Sequence, residues 1–308
     1  MIMEGTHGMD RINMTIVELH QGKKIREFLK DQMKLSSRLI KRSAMEGRIH
    51  VNGNRVRLDY ILREGDEIDV ILDAEEVQHI EPEDIPIEVI YEDASMLVIS
   101  KDPGMVVHPT KSYQSGTLAN AAIHHFRAKG EPTIVRLVSR LDMDTSGLII
   151  LAKNQFIHSR MSSLMQEDRV DKWYLAVVAG DFPDDVERID LPIFRDPDGP
   201  YQRVIDDRGQ RSITEVSVLE RANGYSLLRL KLLTGRTHQI RVHLSHLGFP
   251  VLGDSLYGSV SDLIGRQALH AHELMFSHPM TGHCLDLKAP LKQDMAELLK
   301  KLGFHTEA

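Results

Sequence analysis

The segment SRLDMDTSGLIILAKN, Ser139–Asn154, decides how the larger part of this chain is read. Its second half contains Leu148-Ile149-Ile150-Leu151-Ala152, an apolar run of the kind that forms a buried strand. Its first half carries two aspartates, Asp142 and Asp144, followed by Thr-Ser-Gly. The order D-x-D-x-S-G is also how an EF-hand loop begins. That reading fails at the twelfth position, which must supply a bidentate glutamate and is Lys153. Two readings stay open from the residues alone: a turn whose short polar side chains satisfy local backbone groups, or an aspartate that carries chemistry.

Outward from this segment, short β-like runs alternate with helical ones. IEVIYED, MLVISKD, KWYLAVVAG, TEVSVLER, YSLLRLKLL and DLKAPL read as strands. SGTLANAAIHHFRAK, with Ser115 or Thr117 as cap, and FIHSRMSSLMQED read as helices. The irregular order predicts an α+β fold with a mixed, mainly antiparallel sheet rather than a doubly wound one. Neither G-x-G-x-x-G nor the G-x-x-x-x-G-K-[ST] phosphate loop occurs, so no nucleotide cofactor is expected. No G-x-S-x-G elbow marks a serine nucleophile.

A second informative stretch is LLTGRTHQIRVHLSHLGFPVLGD, Leu232–Asp254. A strand ends at Thr234-Gly235. Thr237 is positioned to cap a helix through Leu247, which Gly248 and Pro250 stop. Arg236 falls at the helix entrance and Arg241 within it. His238, His243 and His246 raise a zinc reading, but only the last two are three apart and no H-E-x-x-H or cysteine accompanies them. They are read as hydrogen-bonding or cleft-lining residues, and no metal is expected.

The front of the chain is a separate small unit. Ile25, Phe28, Leu29 and Met33 recur at helical spacing. Ser36 or Ser37 caps a second helix carrying Leu39, Ile40, Ala44 and Met45, and Gly47 ends it. Asn52-Gly53 within RIHVNGNRV signals a hairpin, and REGDEIDVIL closes the unit with a strand. Lys34, Arg38, Lys41, Arg42 and Arg48 cluster on or beside the second helix. Such a group is either a solvated helix face or a phosphate-contacting one.

Bulk composition narrows the class. The 308 residues suffice for about two domains. Hydrophobic content of 42% and charged content of 27% are those of an ordinary globular protein. One cysteine, Cys284, excludes a disulfide framework and fits a reducing cytoplasm. No apolar run approaches a membrane span, and the N-terminus lacks the apolar core of a signal peptide. The net charge of −7 argues against a nucleic-acid partner only until its distribution is seen. Nine acids and no Lys or Arg fall within residues 73–93, which leaves the remainder slightly positive. The expected division is a tail and first strand over 1–21, the small unit over 22–72, an acidic Pro-containing linker over 73–86 and the large domain over 87–308.

The small unit resembles the S4-type RNA-binding domain in its two-helix start, SSRLIKRSAMEGRIHVNG and the EGDEI end. The large domain resembles the RluA-type family of RNA pseudouridine synthases through four ordered segments: YEDASMLVISKDPGMVVHP, SRLDMDTSGLIILAKN, DKWYLAVVAG and TGRTHQIRVHLSHLGFPVLGD. Two positions depart from the family pattern. Ser139 stands where a histidine often precedes Arg140, and Ser100-Lys101-Asp102-Pro103-Gly104 replaces asparagine-lysine-proline-x-glycine.

The resemblance implies the pseudouridine synthase fold and an isomerisation of uridine in structured RNA without cofactor, with large-subunit ribosomal RNA as the expected substrate; transfer RNA and a non-catalytic RNA-binding assembly role are the alternatives. It implies Asp142 as the reactive carboxylate, Arg236 as the arginine that pairs with it and Tyr174 as the aromatic face for the flipped base. Arg140, Lys172, His238 and Lys101 are expected at the substrate, and Lys34, Arg38, Lys41, Arg42 and Arg48 on RNA. Asp144, with Thr145 and Ser146, is expected to shape the turn. A monomer is expected.

Overall fold

A computed structural model describes residues 11–33, 35, 37–71, 78, 80–131, 134–199 and 201–305. The front unit comprises β1 (Arg11–Thr15), α1 (Ile25–Asp31), α2 (Ser37–Met45), β2 (Ile49–Val51), β3 (Asn54–Arg55) and β4 (Glu67–Ile71). Its four strands pair in the order β1-β4-β2-β3, all antiparallel. The helices bury Ile25, Phe28, Leu29, Leu39 and Ile40. The β2–β3 turn is the expected Asn52-Gly53, with φ of 51° and 74°, the positive values that such a tight hairpin demands. Asn52 is also a clasp: its amide donates to Asp66 and its carbonyl oxygen accepts from the Glu67 N–H, both at 2.8 Å.

The larger unit begins with β5 (Glu88–Glu92), β6 (Met96–Lys101), α3 (Leu118–Ala128), β7 (Arg136–Leu137), β8 (Ser146–Ala152), α4 (Gln155–Gln166) and β9 (Val170–Ala179). It continues with β10 (Arg188–Asp190), β11 (Ile193–Arg195), β12 (Arg203–Ile205), β13 (Ile213–Ala222) and β14 (Tyr225–Leu232). Helix α5 (Gln239–His246), β15 (Leu269–Ser277), β16 (Cys284–Lys288) and α6 (Gln293–Leu302) complete it. The main sheet runs β10-β13-β14-β9-β15-β8-β6-β5, with β16 on β15 and β7 on β8. Only β8 and β15 pair in parallel, so the sheet is mixed and mainly antiparallel. Strands β11 and β12 form a separate two-stranded ribbon.

Strand β8, the apolar run of the opening segment, is buried at every position. It lies against β6 on one side and β15 on the other. Strand β15 is the central element that the sequence pattern conceals. Its LHAHELMFS buries His270 and Glu273 beside apolar residues, so no alternation shows. Thr117 caps α3 through a reciprocal box with Asn120. Gly248 ends α5 in the left-handed region (φ 83°), and the Phe249 N–H reaches back to the Leu244 carbonyl at 2.9 Å. The start of α5 differs from expectation. Its cap is His238, not Thr237, and His238 itself is left-handed at φ 59°.

Part of the expected linker, residues 73–77 and 79, lies outside the described residues, as do Lys34 and Ser36. The described remainder is docked. Glu83 accepts from the Gly116 N–H, Asn120 donates to the Glu81 carbonyl, and Ile80 is buried with Leu97 and Phe126.

Candidate active site

The topology brings two distant segments together through one residue. Ala271 of β15 pairs with Gly147 of β8 on one side and with Tyr174 of β9 on the other. The loop before β8, which carries Asp142, therefore opens beside Tyr174. A cleft of about 660 Å³ forms there, lined among others by Ser139, Arg140, Asp142, Lys172, Tyr174 and Arg236, with His238 and Arg241.

Asp142 is held by Arg241, whose Nη1 donates to its Oδ2 at 2.8 Å. The same guanidinium grips Asp254 with Nε and Nη2, at 2.7 and 2.8 Å. Asp254 is fully buried and also accepts from the N–H groups of Leu256 and Tyr257. A two-pronged arginine pair fixes both direction and distance. Burial opposes the Arg241 charge, but Asp254 and Asp142 outweigh it and hold the guanidinium above its ordinary range. On the other partner, burial of Asp254 is outweighed by Arg241, and its carboxyl is held below the usual value.

The pairing corrects the expectation for Arg236. That side chain is exposed on the loop before α5, and its Nε donates to the Arg211 carbonyl at 3.4 Å. Arg236 lines the cleft but does not hold Asp142. The clamp to Asp254 explains the exchange. With the cap at His238, Arg241 is the arginine inside the first turns of α5 and faces inward, while Arg236 stays outside the helix. Gln239 secures this loop: its side-chain oxygen accepts from the Thr234 hydroxyl and the Arg236 N–H, and its amide donates to the Ile213 carbonyl and the Thr214 hydroxyl.

Behind Asp142 the loop is tied down from beneath. Lys101, expected to contact substrate, is instead 1% exposed. Its ammonium donates to the carbonyls of Asp102, Met105 and Met143 at 2.7, 3.0 and 2.7 Å. Burial pushes its pKa down to about 7. Arg266 donates to the Asp144 carbonyl and the Ser146 hydroxyl, and holds Asp294 of α6 with two further bonds. The turn closes through the Thr145 N–H on the Asp142 carbonyl. The Thr145 hydroxyl accepts from Gln267, and the Ser146 hydroxyl accepts from Arg266 and meets His270 Nδ1, so they lock the loop to β15 and its approach rather than to the turn's own donors. Gly147 permits this contact. At φ 108°, a Cβ there would lie 2.1 Å from the Ala271 carbonyl oxygen.

Tyr174 presents its ring to the cleft. Burial first, and the Asp142 charge second, raise its hydroxyl above the ordinary tyrosine range. Lys172, half-buried in the same wall, has its pKa lowered by burial. Arg140 is exposed at the cleft. His238 places Nε2 3.8 Å from Asp142 Oδ1 and Nδ1 2.8 Å from the Tyr257 hydroxyl. Burial, only partly offset by Asp142, lowers its pKa. His243 is fully buried between the Thr214 hydroxyl and the Leu191 carbonyl, and His246 is exposed, so the two do not face one site. Among the described residues no three His, Cys, Asp or Glu side chains gather in a way that could hold a metal.

On the front unit, Arg38 and Lys41 are exposed along α2, and Arg42 bonds Glu46 at 2.9 Å. Arg48 corrects the expectation of an RNA contact. It is 8% exposed, pairs with Glu46 at 2.6 Å and donates to the Ile71 carbonyl, a role internal to the unit. Lys34 lies outside the described residues.

The chain matches the RNA pseudouridylate synthase family over residues 95–246 and the S4 domain over residues 27–68. It belongs to the RNA pseudouridine synthases, RluA type, with an S4 domain at its front. That family consists of isomerases acting on RNA. The chain is 41% identical to the uncharacterized RNA pseudouridine synthase YjbO of Bacillus subtilis, covering 82% of this chain and 90% of that protein. It is 35% identical to ribosomal large subunit pseudouridine synthase D of Pasteurella multocida, covering 82% and 83%. The solved structure of human RNA pseudouridylate synthase domain containing 1 overlays with a TM-score of 0.55 at 27% identity, covering 76% of this chain and 99% of that one. Among the described residues, no helix is long and apolar enough to cross a membrane.

Sequence reasoning named Asp142, Tyr174, Arg140, Lys172 and His238, and all five line the cleft. Asp254, Tyr257 and Arg203 stand outside the set legible in the sequence, and Arg241 is legible there only as a helix residue. Asp254 carries a weak signal in the sequence, an acid closing the apolar run GFPVLG, with Arg241 in the preceding helix segment.

Proposed function

We propose that this protein converts specific uridines to pseudouridine in large-subunit ribosomal RNA, with Asp142 as nucleophile or base. In that isomerisation the C1′–N1 bond breaks, the base turns, and C5 bonds to C1′. The proton leaves C5 and N1 takes one up, so nothing is oxidised, reduced or hydrolysed and no cofactor is called for. The observation that carries the reading is the Asp142 carboxylate, fixed by Arg241 in a cleft that Tyr174 also lines. A carboxylate aimed at an anomeric carbon suits glycosidic cleavage. An aromatic face suits a base taken out of its stack.

In this reading Arg140, Arg236 and Lys172 supply positive charge around the flipped nucleotide, and Arg38 and Lys41 contact RNA phosphates from the front unit. The ribosomal substrate is supported by the relatives named for it. The single exposed Cys284 fits a reducing cytoplasm.

The test uses ribosomal RNA transcripts carrying tritium at uridine C5. Wild type should release tritium to water, and Asp142→Asn and Asp142→Ala should release none while binding the same RNA. Retained release by a folded Asp142→Ala protein would sink the assignment. Binding without release by wild type, on ribosomal and transfer RNA alike, would leave an RNA-binding assembly factor.

A further inference from the structure

One hydrogen bond beside His238 has a fixed direction. The backbone N–H of Arg203, at the start of β12, reaches the Tyr257 hydroxyl oxygen at 2.8 Å, and a backbone N–H can only donate. The hydroxyl keeps its own proton to give. Its other polar contact is His238 Nδ1, also at 2.8 Å. With Nδ1 accepting, a neutral imidazole carries its proton on Nε2. Nε2 is the atom that faces Asp142 Oδ1, at 3.8 Å. The other carboxylate oxygen, Oδ2, is the one already bound by Arg241.

We infer that His238 is a positioning residue for Asp142, and that the relay Arg203 N–H to Tyr257 hydroxyl to His238 Nδ1 keeps its Nε2–H turned toward Asp142 Oδ1. This rests on the reading of Asp142 as the reactive carboxylate. The two oxygens then have different duties. Oδ2 is anchored by a buried arginine. Oδ1 is only loosely approached, and an advance of under about 1 Å by the imidazole makes the bond. Such bonds are often long before substrate binds and tighten with it. The lowered His238 pKa agrees with a neutral ring.

The backbone supports the assignment. His238 sits at φ 59° and ψ 20°, a left-handed conformation that a histidine adopts only against a steric cost. Such strain marks residues held in place for a task. It also gives a test in which structure and chemistry pull apart. Asparagine tolerates the left-handed region better than glutamine does. Its amide reaches only to the level of Nδ1, whereas the glutamine amide reaches the level of Nε2.

His238→Asn and His238→Gln are therefore compared in the full chain by tritium release and thermal melting, with Asp142→Ala as control. Stability should rank Asn at or above Gln. Activity should rank the other way. His238→Asn should lose about 10- to 100-fold in kcat, the weight of one hydrogen bond to a charged group, with KM within twofold. His238→Gln should recover a substantial part of it. Tyr257→Phe should lower kcat with KM unchanged. In ¹⁵N spectra of histidine-labelled protein, wild-type His238 should show a protonated Nε2 and a bare Nδ1, and Tyr257→Phe should mix the two forms.

Wild-type kcat in His238→Asn, activity that follows stability with Asn above Gln, or a proton on Nδ1 in wild type would each overturn the relay. Activity in Asp142→Ala would instead overturn the reading beneath it.

Discussion

Arg241 and Asp142 stand 99 residues apart in the chain and are joined by a 2.8 Å charge-assisted hydrogen bond. Arg241 is also clamped to the fully buried Asp254, so its position is decided before any substrate arrives.

Removing this arginine leaves a buried carboxylate unpaired. Arg241→Met is expected to destabilise the protein by about 3–5 kcal/mol, because Asp254 loses the buried guanidinium that pairs with it. Arg236→Ala, on an exposed loop, should cost under about 1 kcal/mol. Urea denaturation of both variants separates them, and equal losses would contradict the assignment of Arg241 as the structural partner.

Tyr174 is expected to act through its ring. Base stacking on an aromatic face is worth about 1–3 kcal/mol, so Tyr174→Leu should weaken productive binding by roughly 5- to 150-fold. The hydroxyl, raised by burial and by Asp142, stays protonated to beyond pH 10. Rate profiles of wild type and Tyr174→Phe should share one shape from pH 6 to 10. A tyrosine limb present only in wild type would show that the hydroxyl ionises in turnover.

Lys101 should make stability depend on pH in a known direction. Burial lowers its pKa to about 7 from an ordinary 10.5. Between those values the unfolded chain binds more protons than the folded one, so stability from this group rises with pH. Its contribution is complete above about 10.5 and is lost as pH falls through about 7. The Tm difference, wild type minus Lys101→Met, should therefore grow from pH 7 to pH 10. A constant difference would place the titration elsewhere.

Gly147 should not accept a side chain. A Cβ would fall 2.1 Å from backbone oxygen of Ala271, and backbone cannot swing away as a side chain can. Gly147→Ala is expected to cost about 3 kcal/mol or more, through overpacking and a strained φ together. A denaturation midpoint near that of wild type would show that β8 and β15 separate cheaply.

The front unit should contribute charge rather than chemistry. Arg38→Gln with Lys41→Gln should lower the slope of log K against log[salt] for RNA binding by about 1.5, the release from two phosphate contacts. Arg48→Gln should leave that slope unchanged and lower stability instead, since Arg48 is committed to Glu46 and Ile71.

Much of this was legible in one dimension because the signals are local. The run Leu148–Ala152, the Asn52-Gly53 turn, the Thr117 cap and the Gly248 stop each depend on neighbours within a few residues. Strand β15 was hidden because its buried positions include His270 and Glu273, whose polarity is satisfied by distant partners such as Ser146 and Arg229. The roles of Lys101 and Arg48 were misplaced for a related reason. A cation in a sequence looks solvated until the carbonyls or carboxylates that enclose it are known.

By itself, then, the sequence determined many of the local elements, the S4 domain at the front and the acid in the loop before β8. Which arginine holds that acid was decided only in three dimensions. The choice between Arg236 and Arg241 depends on a carboxylate at Asp254 that fixes the Arg241 fork, while Arg236 stays on an exposed loop. Ala271, paired with Gly147 on one side and Tyr174 on the other, decides that the acid and the aromatic face share one cleft.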